Sequence, residues 1–324
     1  MSVLKKAAPR PTVFDAIEAP ARDDWRAARA ALIRAGVKVS PGRRRRLRSW
    51  DTIDALVQVF GWGLKLAGLH ARGRRNALDL TLRRLDLAFP DLPAAFDGFR
   101  VLQLSDLHVD ALPGAVERLI GLIDGLDLDL CVMTGDYRGD VRGSFDHILP
   151  DMQAIRAALR PAEGVLGILG NHDDAAMVEA FEALGIRMLV NESWVIRRGA
   201  AQIHLTGTDD VHYFYTEAAR AALADSPEGF GIALVHSPEL ADAAAGCGFK
   251  LYLAGHTHGG QIALPGGRPL VTRLTRHRAY AAGLWRHGAM HGYTSSGVGT
   301  SSLPVRFNTR GEAVLITLRR GPAG

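Results

Sequence analysis

The chain has 324 residues, of which 47% are hydrophobic and 23% charged, and it contains two cysteines. That balance excludes a disordered or fibrous protein, the length suits one large α/β domain with an appendage, and two thiols exclude a disulfide framework. The net charge of +5 is uneven: residues 1–75 carry 17 Lys and Arg against 6 Asp and Glu, while the remaining 249 carry 22 against 28.

Residues 1–22 are rich in Pro and Ala and read as a loose arm. Asp15, Glu18, Asp23 and Asp24 interrupt any apolar stretch, so no signal peptide is readable and a cytoplasmic protein is expected. An Ala-rich helix follows from about Asp23 and should end at Gly36. Arg43–Arg46 and Arg48 then precede the stretch SWDTIDALVQVFGWGLKLAGL at 49–69. There Ile53, Leu56, Val57, Phe60 and Leu64 recur at helical spacing, with Trp50 and Trp62 nearby. Asp51, Asp54 and Lys65 break the run, whereas a membrane span needs about 20 mostly apolar residues. Arg72, Arg74 and Arg75 flank it on the far side.

Residues 1–80 thus read as a basic helical extension with two open roles. It lies in a bilayer interface, residues 43–75 meeting an anionic membrane surface, which would place the protein peripherally at the inner membrane face. Alternatively it packs on the following domain with a solvated basic face. The internal acids argue against a twin-arginine export signal, and the absence of aromatics interleaved on strands argues against nucleic acid.

From Arg100 onward short apolar runs alternate with helical patterns. VLQL (101–104), LCVM (130–133), VLGIL (165–169), IHLTG (203–207), GIALV (231–235) and LYLAG (251–255) read as strands. Residues 114–125, 146–159 and 175–184 read as helices, and after Gly259 only strands are expected, ending in AVLITLRR (313–320). Residues 81–324 are therefore expected to form an α/β domain of two packed β-sheets flanked by helices. Cys131, inside an apolar run, reads as a buried free thiol.

The better strands end in side chains able to bind metal. Asp106 and His108 follow the first, Asp136 the second, Asn171, His172 and Asp173 the third, His236 the fifth, and His256 and His258 the sixth. Residues two apart in extended chain share a face, so Asp106 with His108, and His256 with His258, can point into one crevice. Ligands at the carboxyl ends of strands lie where open α/β sheets place their sites. One such residue would more often be a turn or cap, but five clusters in succession point to a metal centre.

Asp-x-His, Gly-Asp, Gly-Asn-His-Asp, a single His and Gly-His-x-His, in that order, resemble the calcineurin-like metallophosphoesterase family over about residues 99–318. HSPE at 236–239, GHTHGGQ at 255–261 and LPVRF at 303–307 look like its bacterial branch of membrane-associated phosphodiesterases, which includes UDP-2,3-diacylglucosamine pyrophosphatases of lipid A biosynthesis. The resemblance implies a dinuclear hydrolase of phosphate esters or anhydrides, acting on a phosphorylated small molecule or lipid-linked substrate. It gives one metal Asp106, His108, Asp136 and His258, and the other Asp136, Asn171, His236 and His256, with Asp136 bridging. Oxygen and imidazole donors without thiolate suit manganese, iron or zinc. Two such cations ~3.5–4 Å apart activate water and clamp phosphoryl oxygens during in-line attack.

The resemblance also places His172 to protonate or hydrogen-bond the leaving oxygen, or else to order its own loop. The sequence departs from the pattern at Gly139, where the family often has an Asp that orients this histidine. Asp140 or Asp173 could substitute, and Arg138 could instead face substrate phosphate. Asp209 and Asp210 read as a turn or as supports for the ligands. His147, His204, His277 and His291 lack ligand spacing, and Arg268, Arg273, Arg276 and Arg278 form a basic Pro/Gly-rich stretch able to meet an anionic head group. A membrane- or partner-binding protein with a structural or disused metal site is the alternative, and the presence of every ligand argues against it.

Overall fold

The computed structural model describes residues 19–322 apart from 36, 42, 47–49 and 142. Its first elements are α1 (Ala19–Ala35), β1 (Val37–Ser40), β2 (Arg43–Arg46), α2 (Trp50–Leu66) and α3 (His70–Leu78). The arginine run, read from sequence only as a charge cluster, is a strand paired antiparallel with β1. Arg48 and most of the expected N-terminal arm lie outside the described residues. Among the described residues, no helix is long and apolar enough to cross a membrane.

Next come β3 (Thr81–Phe89), β4 (Arg100–Leu104), α4 (Ala115–Ile123), β5 (Leu130–Met133), α5 (Leu149–Ala158), β6 (Val165–Gly167), α6 (Met177–Ala183) and β7 (Ile186–Met188). The second half adds β8 (Glu192–Arg198), β9 (Ala201–Gly207), α7 (Glu217–Ala224), β10 (Phe230–Leu234), α8 (Ala241–Gly246) and β11 (Leu251–Ala254). It closes with β12 (Gly283–His287), β13 (Met290–Thr294) and β14 (Glu312–Arg320).

Two six-stranded mixed sheets result, in the orders β3-β14-β4-β5-β6-β7 and β12-β13-β11-β10-β9-β8. Alternation along each strand sends one set of side chains between the sheets and the other toward the helices. Val101, Leu130 and Val132 meet Leu205, Ile232 and Leu253 between the layers. Leu102, Cys131 and Met133 point the other way, against Leu119, Met152 and Phe181 from α4, α5 and α6, and Trp25 of α1 joins that cluster. Ala233 and Tyr252 pack against α7, α8 and Trp285 on the far side of the second sheet. In each sheet, four neighbouring parallel strands run in one direction, so their carboxyl ends open on one edge of the sandwich.

The apolar runs became strands where they were expected, although VLGIL forms a strand only to Gly167. Elements without such a run were missed. β3 reads TLRRLDLAF and lies at a sheet edge, its charged residues turned outward, and β8 is the corresponding edge of the other sheet. α7 and α8 are short and Ala-rich, with too few large apolar residues to display a helical period.

Candidate metal centre

The loops after β4, β5, β6, β10 and β11 bring seven side chains together at that open edge. Asp106 Oδ1 lies 3.5 Å from His258 Nε2, which lies 3.2 Å from His108 Nε2. Asn171 Oδ1 lies 2.7 Å from His256 Nδ1 and 3.2 Å from His236 Nε2. Asp136 Oδ2 joins the two groups, 3.8 Å from His108 Nε2 and 3.3 Å from His236 Nε2. All seven residues are buried. Separations of this size are edges of coordination polyhedra with ligand bonds near 2.0–2.2 Å.

Local backbone geometry presents these donors at a cost. Asp106, His108, Asp136, His256 and His258 all adopt positive φ, between 37° and 73°. Such strain in non-glycine residues runs to roughly 1–3 kcal/mol each and gathers at functional sites. Gly135, at φ 90°, allows the β5 loop to approach the β6 loop, since a Cβ there would lie 2.6 Å from Gly170 N.

The donor chemistry fits cations. His108 Nδ1 donates to Arg138 O at 2.7 Å and His236 Nδ1 donates to Thr134 O at 2.7 Å, which directs the lone pair of each Nε2 inward. Lone pairs thus face carboxylate and amide oxygens, an arrangement that needs positive charge among them. Burial raises Asp106 to about 7. Burial would lower His236, but Asp136 and Asp106 overcome it and hold the imidazole well above its ordinary value. For Asp136, burial is outweighed by His236, His172 and His108, and the carboxyl sits well below the usual range. Burial takes His108 down to about 4 and holds His256 and His258 well below the ordinary histidine value. Most of the imidazoles are therefore already neutral and ready to ligate.

His172 lies beside His108, ring centroids 4.8 Å apart, and its Nδ1 donates to Gly139 O at 2.8 Å. The position lacking a carboxylate thus orients the histidine through its backbone carbonyl. Asp173 instead accepts from Gly170 N, Asp136 N and Tyr137 N at 2.7, 2.8 and 2.9 Å, tying the β5 and β6 loops together. Arg138 donates to the carbonyls of His172, Gly143 and Val141, so its guanidinium braces the loop. Asp140 is exposed. Asp210 caps a turn through His212 N and Tyr213 N, while Asp209 receives Trp25 and Arg29 of α1.

Two further buried residues lie near the clustered side chains. His212 packs its ring 4.0 Å from His256 and joins Lys38 of β1 to Glu239, at 2.5 and 3.1 Å. Arg306, within LPVRF, donates to the carbonyls of His258, Ser296, Gly297 and Gly299, and burial lowers it to about 10. His212 has no motif spacing, and LPVRF marks the position of Arg306 without its contacts, so the fold reveals what each does.

A cavity of about 390 Å³ opens over the centre. Asp136, Asn171, His172, His256 and His258 form its floor. Val57 and Phe60 of α2 line it together with Ile262, Leu270, Val271 and Leu303, and Arg273 adds a charge. A separate group, Asp242, His277 and His287, has metal-like spacing, but Arg276 Nη2 already neutralises the Asp242 carboxylate at 2.7 Å.

Residues 99–260, half of the chain, match the calcineurin-like phosphoesterase family. The chain belongs to that family. It is 30% identical to the metallophosphoesterase YkuE of Bacillus subtilis (strain 168) across 70% of this chain and 82% of YkuE. It is also 30% identical to the phosphodiesterase YaeI of Escherichia coli (strain K12), across 68% of this chain and 82% of YaeI. A shorter likeness, 33% over 31% of this chain and 30% of the other, joins it to the UDP-2,3-diacylglucosamine pyrophosphatase LpxG of Chlamydia muridarum (strain MoPn / Nigg). The chain is a phosphoric ester hydrolase, and its clustered His and Asp side chains are groups able to hold divalent metal.

Proposed function

We propose that the chain is a phosphodiesterase or pyrophosphatase whose substrate joins a phosphate linkage to an apolar, acyl-bearing group. The cavity carries this reading: a polar floor of metal ligands under walls of Val57, Phe60, Ile262, Leu270, Val271 and Leu303. Apolar walls beside a polar floor suit a substrate with an acyl chain next to its phosphate linkage. The likeness to a UDP-2,3-diacylglucosamine pyrophosphatase supports a lipid-linked substrate of that kind, as in lipid A biosynthesis.

In this proposal Asp106, His108, Asp136 and His258 hold one cation and Asp136, Asn171, His236 and His256 the other, the ions being manganese, iron or zinc. When bound, they supply charge neutralisation and activated water. His172 is held by its Nδ1–H donating to Gly139 O, and in its doubly protonated form its Nε2–H gives a proton to the leaving oxygen. Residues 1–80 form the extension to a catalytic domain at 81–324, and the protein works peripherally at the cytoplasmic face of the inner membrane. Val59, Trp62 and Leu66 of α2 are 70%, 68% and 88% exposed, and Leu270 and Val271 are exposed beside the cavity. Such a face, with Lys65, Arg72, Arg74 and Arg75 adjoining, suits an anionic bilayer.

Sedimentation with vesicles containing phosphatidylglycerol tests the membrane part. Wild type should co-sediment, and Trp62→Asp with Leu66→Asp should weaken binding at least about tenfold, given the apolar area withdrawn. Equal binding of the two proteins would remove the membrane from the account.

A further inference from the structure

Helix α1 lies outside residues 99–260, the stretch matched to the family, yet one of its side chains is built into the metal-ligand loop. Arg29 is 1% exposed. Its Nη2 donates to Gly170 O at 3.0 Å and to Asp173 O at 2.7 Å, the two carbonyls that bracket Asn171 and His172. Its Nη1 pairs with Asp209, which also accepts from Trp25 Nε1 at 2.5 Å and Asp210 N at 2.8 Å. Phe214 covers the guanidinium, its ring centroid 4.1 Å from Cζ. A planar fork thus spans a buried carboxylate on one side and the loop backbone on the other, a geometry that lysine cannot reproduce.

Other restraints on this loop act elsewhere. Arg138 holds His172 O, and the Asp173 carboxylate holds backbone N–H groups on the sheet side. The partner of Gly170 O within the turn, Asp173 N, is distant at 3.4 Å. Arg29 therefore supplies the firm contacts on the side facing α1.

We infer that Arg29 is a positioning residue of the metal centre, and that α1 is a working part of the catalytic unit. The inference rests on Asn171 being a ligand, as proposed above. Arg29 fixes the turn that aims Asn171 Oδ1 at His236 and His256. Removing it loosens one cation site and leaves the site of Asp106, His108 and His258 intact.

The test uses the full chain and Mn²⁺ alone as probe. Arg29→Ala would strand the Asp209 carboxylate and endanger the fold, so the main variant is Arg29→Met with Asp209→Asn, which leaves no unpaired buried charge. Arg29→Lys is the second variant, able to pair with Asp209 but not to reach both carbonyls. Equilibrium dialysis should show two tight Mn²⁺ ions per wild-type chain. In the double variant one ion stays tight and the other weakens about 10–100-fold, as expected for loss of an orienting contact. Turnover of bis-p-nitrophenyl phosphate should fall in kcat by a similar factor at limiting Mn²⁺, with KM little changed, and recover in excess Mn²⁺. Arg29→Lys should lie between, and it carries the same test should the double variant fail to fold.

Variants that bind both ions with wild-type affinity and turn over at the wild-type rate overturn the inference alone. Wild-type protein that binds fewer than two ions overturns the metal-centre proposal and this inference with it.

Discussion

Asp106 and His236 decide how cation binding in the proposed centre depends on pH. Burial raises Asp106 to about 7, and Asp136 holds His236 well above its ordinary value against burial, so both groups keep protons to higher pH than usual. In the proposed centre ligation needs both deprotonated, so cations would displace those protons and metal affinity would rise with pH. Calorimetry in buffers of different ionisation enthalpy should find about one to two protons released per chain at pH 7. Affinity independent of pH between 6 and 8 would contradict that. His172 tests the chemistry itself: His172→Gln should lower kcat about 10²–10⁴-fold while the bound metal is unchanged, the usual worth of a positioned proton donor. At this scale the sequence displayed the side chains that cluster, because Asp-x-His and Gly-His-x-His are local patterns. It could not display what Gly139 O, Arg29 and Arg306 do, because their contributions are backbone or guanidinium contacts formed only in the folded chain.

Among the elements, α2 carries two jobs on different sides. Gly61 and Leu64 are buried, the former close against Leu303, while Val57 and Phe60 line the cavity and Trp62 and Leu66 face out. Phe60→Ala should therefore raise KM for a long-chain acyl substrate about tenfold, the worth of ~1.5 kcal/mol of apolar contact, and leave turnover of bis-p-nitrophenyl phosphate nearly unchanged. Equal effects on both substrates would remove α2 from acyl recognition. The helical period of this segment was readable, but not which side met the cavity, since that depends on packing against the loop at 303. On β9, His204 is buried against Phe249, and burial lowers its pKa. The folded chain keeps it neutral while the unfolded chain takes up a proton near the ordinary value of 6.5. Stability is thus full above that pH and declines below it. Urea midpoints at pH 7 and pH 5 should differ less for His204→Leu than for wild type, and an identical pH dependence would show that another group governs the decline.

Across the molecule, two sheets present their parallel strand ends at one edge, and loops from both sheets meet there. The two-sheet architecture was readable because buried parallel strands need continuous apolar runs. The edge strands β3 and β8, with one ladder partner each and mixed polarity, were not. The N-terminal charge excess was equally visible, yet its attachment was not: α1 buries Trp25 in the core, and β1 meets the loop beyond Asp210 through Val39 N to Tyr213 O at 2.8 Å. Helix, hairpin and sandwich thus converge on one centre. The most direct measurement is metal content by elemental analysis alongside turnover of bis-p-nitrophenyl phosphate, for wild type, chelator-treated protein and Asp136→Asn. Two transition-metal ions per wild-type chain are expected, with turnover abolished by chelation, restored by Mn²⁺, and reduced at least about 10³-fold in Asp136→Asn. Turnover that survives complete metal removal, or an Asp136→Asn protein as active as wild type, would contradict the account.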